Sequence, residues 1–387
     1  MFSRIVKHKS AFTLVIDGLP QLGEEWHHSW RDIVFIYILW MLKLHSPCYH
    51  QITCHVWLTF LCIAPGGYPA SCRGNRTYYD ECERMCSCVR SRAKQCKRVR
   101  KDFLSMKKED RTRFVKILKI AATKEPFRSQ YLDLASMYKN FFHRVSKRIS
   151  FLPWHRAFLL RLENLLLQID CRISLPYWDW SRTSGNPWEL DNPDSIWNKA
   201  QFGLGGNGTE PNNCVTSGPF REGAWNITMD GDKTTCLKRH FHGTLPDPQK
   251  IQTVLSLPWE KFSDFEKMLR LTFHHSVACD NVGGHVCSNE AAQTPEFILI
   301  TSFVDKLWSQ WQNISYFHRD TGYPIVGNNL PGFDLSYVGD VLRLDRQPNC
   351  VRIIYDKAWK AEGIKCFVSS SKMILKCLVM PILAGIL

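Results

Sequence analysis

Residues 151–163 read Phe-Leu-Pro-Trp-His-Arg-Ala-Phe-Leu-Leu-Arg-Leu-Glu, and this stretch constrains the fold more than any other part of the chain. Pro153 suits the first turn of a helix, where the missing amide donor costs nothing. His155, Leu159, Leu162, Leu166 and Ile169 then step by four and three residues. That spacing predicts one apolar helix face with a histidine in its first turn. An inward imidazole needs a partner for its ring nitrogens, and either a core hydrogen bond or a metal ion can serve. Leu175-Pro-Tyr-Trp-Asp-Trp180 follows, a rigid aromatic turn with one carboxylate.

Further helices surround this one. Tyr131, Leu134, Ala135, Tyr138, Phe141 and Phe142 repeat at helical spacing, as do Phe297, Thr301, Val304, Trp308 and Trp311. A shorter helix is expected from Glu260 to Val277. Residues 181–244 are rich in Gly, Asn and Pro and read as a long surface insertion. Beyond residue 320 the pattern turns to short apolar segments, with Val351 to Tyr355 read as a strand. The reading is a mainly α core with long loops and a few short strands.

In this order the motifs resemble a known family. Phe-Leu-Pro-Trp-His-Arg, Glu163 and the Pro-Tyr-Trp-Asp-Trp turn resemble the first copper half of tyrosinases. Val282-Gly-Gly284 and residues 294–308 (Thr-Pro-Glu-Phe-Ile-Leu-Ile-Thr-Ser-Phe-Val-Asp-Lys-Leu-Trp) resemble the second half. The cysteine-rich stretch upstream resembles secreted invertebrate tyrosinases of the molluscan kind. The resemblance covers about residues 96–320. It implies a four-helix-bundle, type-3 copper core in which two copper ions each take three imidazoles and oxidise phenols to quinones with dioxygen. Copper is the implied cofactor and phenolic small molecules the implied substrates. Imidazole suits copper, and fixed helices can hold two ions close enough to share one oxygen molecule.

Carried over one position at a time, the implied ligand set is depleted. His155 stands at the third ligand of the first half. The second falls on Ser146 and the first on Tyr138, with His143 three residues away from the second. In the second half two histidines four apart belong before Val-Gly-Gly. Counting back without a gap selects His275 and Cys279. Matching Phe-His-x-Ser-Val selects His274 and Ala278, with one extra residue before Val282, and is preferred. Cys279 is either a soft ligand or half of a disulfide, with Cys287 as the candidate partner. The last ligand position carries Thr301. Of six implied imidazoles two have matches, so the metal residues are His155 and one of His274 or His275. His240, His242 and His285 fall outside the implied bundle. A weakened or lost oxidase is therefore expected, the alternative role being an inactive secreted matrix or binding protein on the same scaffold.

Composition sets the surroundings. The chain has 387 residues with 44% hydrophobic and 22% charged, ordinary for a globular protein, and no charge-free apolar run of 18 residues. Sixteen cysteines point to an oxidising compartment and disulfides. Cys86-Ser-Cys88 lacks the gap of most zinc knuckles. The sequons at Asn75, Asn207, Asn226 and Asn313 also fit secretion, the expected location. Residues 90–116 hold 12 basic and 3 acidic side chains, a net +9 of the chain's +14. No stacking pattern or nucleic-acid motif accompanies them, so nucleic acid is not expected as a partner. A solvated helix face is the plainer reading, and acidic extracellular matrix polymers are the candidate partners.

The expected organisation is a hydrophobic leader region over 1–64, a Cys-rich segment over 65–96, the copper-type domain over 97–320, a short-strand extension over 321–368 and an apolar tail over 369–387. Membrane contact is expected only through the terminal apolar segments, if they are retained.

Overall fold

A computed structural model describes residues 4–8, 11–15, 77–80, 82, 84–89, 93–145, 150–320, 329–333, 338–348, 351–356, 364–368 and 375–379. The chain divides into two compact units, Met1–Leu61 and Cys62–Leu387. In the first, β1 (Arg4–His8) and β2 (Ala11–Val15) pair antiparallel.

The second unit is mainly helical. Helices α1 (Lys108–Thr123), α2 (Phe127–Val145) and α3 (Phe151–Leu167) are followed by α4 (Pro248–Leu255), α5 (Phe262–Met268) and α6 (Pro295–Gln312). α2, α3, α6 and the helical stretch after α5 pack around one apolar core. α3 and α6 are its centre. Nearly every residue of both is buried, including the whole stripe predicted on α3 except partly buried Ile169. Two further short helices are α7 (Tyr316–Asp320) and α8 (Val338–Val341).

The helix expected over 260–277 has a different form. α5 continues directly into a π-helix, Leu269–Val282, and the Gly283 amide donates to the Ala278 carbonyl five residues back. Wider π turns absorb an inserted residue without breaking the helix. The extra residue noted before Val282 is thus accommodated inside the helix, not in the turn after it. Gly283 (φ 66°) and Gly284 (φ 69°) then reverse the chain. A Cβ on Gly284 would lie 2.0 Å from the Lys238 carbonyl oxygen, so only glycine fits that approach.

β3 (Thr77–Tyr79), β4 (Met85–Val89), β5 (Ala93–Arg100) and β10 (Arg352–Tyr355) form one sheet in the order β10-β5-β4-β3, with β10 parallel to β5. The strand predicted at 351–355 is therefore present. It pairs with β5, which itself runs across residue 97. Cys86 and Cys96 face each other across β4 and β5 and form a disulfide. Cys82–Cys171, Cys214–Cys236 and Cys279–Cys287 are also bonded. The thiol pair that a zinc site at Cys86 would need is consumed. Near the C-terminus β11 (Ile364–Val368) and β12 (Leu375–Val379) form an antiparallel hairpin. Among the described residues, no helix is long and apolar enough to cross a membrane.

Residues 181–244 are not a surface insertion. Their backbone is largely irregular, with 3-10 turns at Trp180–Thr183 and Asp230–Asp232 and the short pairs β6 (Gly208–Thr209) with β7 (Cys214–Val215) and β8 (Asn226–Thr228) with β9 (Thr234–Cys236). Yet Trp197, Leu204, Phe220, Trp225 and Leu237 are buried in the main core. Arg239, fully buried, pairs with Glu296 at the start of α6 and donates to the carbonyls of Leu204, Gly205 and Gly206. Gly, Asn and Pro set the irregular backbone here, while the large apolar residues spaced between them decide burial.

Candidate metal centre

His155 sits in the first turn of α3 and is 4% exposed. Its Nδ1 lies 2.7 Å from the Phe151 carbonyl oxygen. A carbonyl can only accept, so Nδ1 carries the proton and Nε2 bears the lone pair. That Nε2 is buried and has no hydrogen-bond partner. Burial lowers the His155 pKa to about 4, against small opposing contributions from the Phe151 carbonyl and Asp305. The ring is neutral at physiological pH.

His274 projects from the π-helix toward the same spot. Its ring centroid is 5.4 Å from that of His155. Its Nε2 is 3.2 Å from the Thr301 hydroxyl oxygen on α6. Desolvation, then the neighbouring His155 and His275, hold its pKa well below the usual histidine value. His275 is exposed. The structure thus brings His155 and His274 together and leaves His275 on the outer side of the helix.

The other implied ligand positions hold different chemistry. Tyr138 on α2 packs edge-on against Phe297 at 4.9 Å and His155 at 6.0 Å. Burial pushes its phenol above the ordinary value, so it stays protonated. Thr301 is 1% exposed and its hydroxyl is engaged by His274. Ser146 lies outside the described residues. His143 is exposed near the end of α2 and does not join the site. Cys279 is bonded to Cys287, which removes the soft-ligand alternative. His240 and His242 are exposed with ring centroids 4.1 Å apart, and His285 accepts the Lys238 amide at Nδ1. None of the three reaches His155. Among the described residues, the groups of three metal-type side chains are Asp80 with Cys86 and Cys96, and Cys214 with Glu222 and Cys236. Both contain disulfide sulfurs and neither includes His155 or His274.

A second polar cluster lies behind this site on the same helices. Glu163 of α3 accepts from Arg98, Arg100, the Ser174 hydroxyl and the Leu175 amide. Asp305 of α6 accepts from Arg156 at 2.6 Å, Arg100 at 3.3 Å and the Tyr355 hydroxyl at 2.6 Å. Glu163 was marked by the motif but its partners were not, although the dense basic run over 90–116 contains Arg98 and Arg100.

Comparison with known proteins gives consistent results. The family profile described as the common central domain of tyrosinase matches residues 117–314. A tyrosinase from Streptomyces lincolnensis is 37% identical over 195 residues, covering 46% of this chain and 67% of that protein. One from Streptomyces antibioticus is 33% identical over 239 residues, covering 55% and 82% respectively. A polyphenol oxidase structure from Thermothelomyces thermophila superposes with a TM-score of 0.51 at 16% identity, over 67% of this chain and 89% of that one. It shares the fold.

Proposed function

Given that the chain belongs to the tyrosinase family of type-3 copper proteins, we propose that it is a secreted scaffold member in which the family's oxidation of phenols to quinones is lost. The observation that carries this reading is the donor set around His155. The unpartnered Nε2 of His155 fits one metal–nitrogen bond. His274 offers a second imidazole, already hydrogen-bonded to Thr301. Tyr138 is a neutral phenol and Thr301 a neutral hydroxyl, both poor donors for copper. Loss of even an outer partner of a ligand costs ~10–100-fold in metal affinity, and replacing first-shell imidazoles costs more. These residues do not fit a copper pair. Any residual metal contact falls to His155 and His274.

The fold does not need the metal. Tyr138, Phe297, Phe151 and Trp154 fill the space beside His155 with aromatic contacts. Replacing a polar centre by packed apolar groups is close to neutral for stability. The four disulfides among the described residues and the exposed sequon at Asn313 support secretion. The remaining role is binding, with acidic extracellular matrix polymers as the partner class and Lys101, Lys107, Lys108 and Lys116 as cations of the basic run that are exposed among the described residues.

The test is a copper titration of the folded, disulfide-bonded chain, with oxygen uptake measured on a catechol. The expected result is far less than two copper ions per chain and no catechol-dependent oxygen consumption. Two bound ions together with oxygen uptake would overturn the reading.

A further inference from the structure

Four large apolar side chains are exposed among the described residues, and three of them stand together: Ile314 at 53%, Tyr316 at 61% and Phe317 at 52%. Phe317 stacks on the half-buried Trp259 ring at 5.5 Å and 24°, which widens the patch into an aromatic platform. Clustered apolar surface of this kind marks a place that something covers. The residue that opens the segment is Asn313, in the sequon Asn313-Ile-Ser. Asn313 is exposed and its backbone amide is already satisfied by the Ser309 and Gln310 carbonyls at the end of α6. No hydrogen bond engages its side-chain amide among the described residues.

The other described sequons differ. At Asn207 the side-chain oxygen accepts the amides of Gly208 and Phe241, both at 2.9 Å, so this side chain is part of the fold. Asn226 is exposed but lies in β8 beside buried Trp225 and Ile227, with no exposed large apolar residue next to it. Among the described sequons, Asn313 alone combines a side-chain amide without a hydrogen bond and neighbouring exposed aromatic side chains.

We propose that Asn313 carries an N-linked glycan whose first sugar rings cover the Ile314, Tyr316 and Phe317 surface. A pyranose ring has a face of C–H bonds, and the negative face of an aromatic ring accepts that edge favourably. The bond forms when Asn313 Nδ2 displaces the pyrophosphate of a lipid-linked oligosaccharide at the anomeric carbon. The amide loses one proton, the lipid pyrophosphate leaves, and nothing is oxidised or reduced. The inference rests on the secreted reading above, since the donor and transferase act in the secretory pathway.

The full chain is expressed in cultured eukaryotic cells, and medium and lysate are both analysed. Peptides are treated with a glycan-releasing amidase in heavy-oxygen water, so that each occupied asparagine appears as labelled aspartate. The expected result is secreted chain with label at Asn313. Secreted chain with unlabelled Asn313 overturns this proposal and leaves the secreted reading intact. Chain retained in the lysate with every sequon unlabelled overturns both. The covering role is read on folded protein deglycosylated after purification, which avoids a variant that fails to fold. Glycan removal should raise the fluorescence of an apolar-surface dye and shift sedimentation from monomer toward dimer, and Tyr316→Asp with Phe317→Ser should abolish both changes. No change on glycan removal, or a dimer already present with the glycan attached, overturns the covering role and in the latter case assigns the patch to a second copy.

Discussion

His155 and Arg156 are neighbours on α3, yet they face two different interiors. His155 points at Tyr138, Phe297 and His274, and its Nε2 finds no partner. Arg156 points at Asp305, Gln312 and the carbonyls of Val341 and Leu342, and its guanidinium lies 3.7 Å from the Trp308 ring centre. On α6, Thr301 meets His274 in the first interior and Asp305, one turn on along the same face, meets Arg156 in the second. One interior is a polar site missing the groups that would complete it. The other is an ion network that ties β5, α3, α6 and β10 together, in which Arg156 Nη2 is the buried nitrogen without a hydrogen-bond partner. On the reading proposed above, the second carries the scaffold, so that the first could lose its chemistry without loss of the fold.

Cutting the ion network should have the largest effect. Asp305→Ala leaves Arg156, Arg100 and the Tyr355 hydroxyl without their shared acceptor. Removing one partner of a buried pair costs roughly 3–5 kcal/mol, because the other charge stays desolvated. Urea denaturation should show a loss of that size, or no folded protein at all. A loss below about 1 kcal/mol, the range of exposed pairs, would mean that the network does not hold the bundle.

The imidazole site predicts a smaller effect with a defined pH window. His155 has a folded pKa of about 4 against an ordinary 6.5, because its charged form is desolvated. Between those values the unfolded chain binds more protons than the folded one. Stability is therefore full above pH 6.5 and falls as the pH drops toward 4, by at most about 3 kcal/mol for this group. His274 shifts in the same direction and adds to the loss. His155→Leu should flatten the profile of urea midpoints between pH 7.5 and 5. An unchanged slope would place the titration elsewhere.

The helices were readable because their determinants are local. The apolar stripe from His155 to Ile169 and the run from Phe297 to Trp311 each specify a face within one element. The identities at the implied ligand positions needed only spacing, and the structure brings His155, Tyr138, His274 and Thr301 of that set together. What could not be read was long range. Arg100 meets Asp305 205 residues away and Tyr355 255 residues away, and no local pattern encodes those contacts. Residues 181–244 misled for a related reason. Their turn-forming composition describes the backbone, whereas Trp197 and Trp225 are buried by partners far along the chain. The choice between His274 and His275 depended on winding, and π turns leave no mark in the spacing alone.

Adding a donor sharpens the comparison from the opposite side. Thr301→His puts an imidazole where the Thr301 hydroxyl now meets His274. If missing donors are what limit metal binding, copper affinity should rise by at least ~10-fold, which equals about 1.4 kcal/mol. Competition titration against a coloured chelator reads it, with circular dichroism confirming that the extra volume is tolerated. An unchanged affinity in folded protein would place the fault in the spacing of the helices instead of their donors.

The smallest effect concerns cations that the network leaves outside. Within the basic run, Arg98 and Arg100 are spent on Glu163 and Asp305, and Arg111 on the carbonyls of Leu104, Met106 and Asp194. Lys101, Lys107, Lys108 and Lys116 remain exposed, with Lys101 only loosely paired to Asp110 at 4.0 Å. Exposed charges of this kind contribute little each, roughly 0.2–1 kcal/mol, and salt screens them over ~8–10 Å. A sulfated polysaccharide column should therefore retain the chain at low salt and release it near physiological ionic strength. Changing all four lysines to alanine should move elution to lower salt without altering the urea midpoint. Retention that persists at high salt, or that ignores the four lysines, would show that the surface contact is not electrostatic and would remove acidic matrix polymers as the partner class.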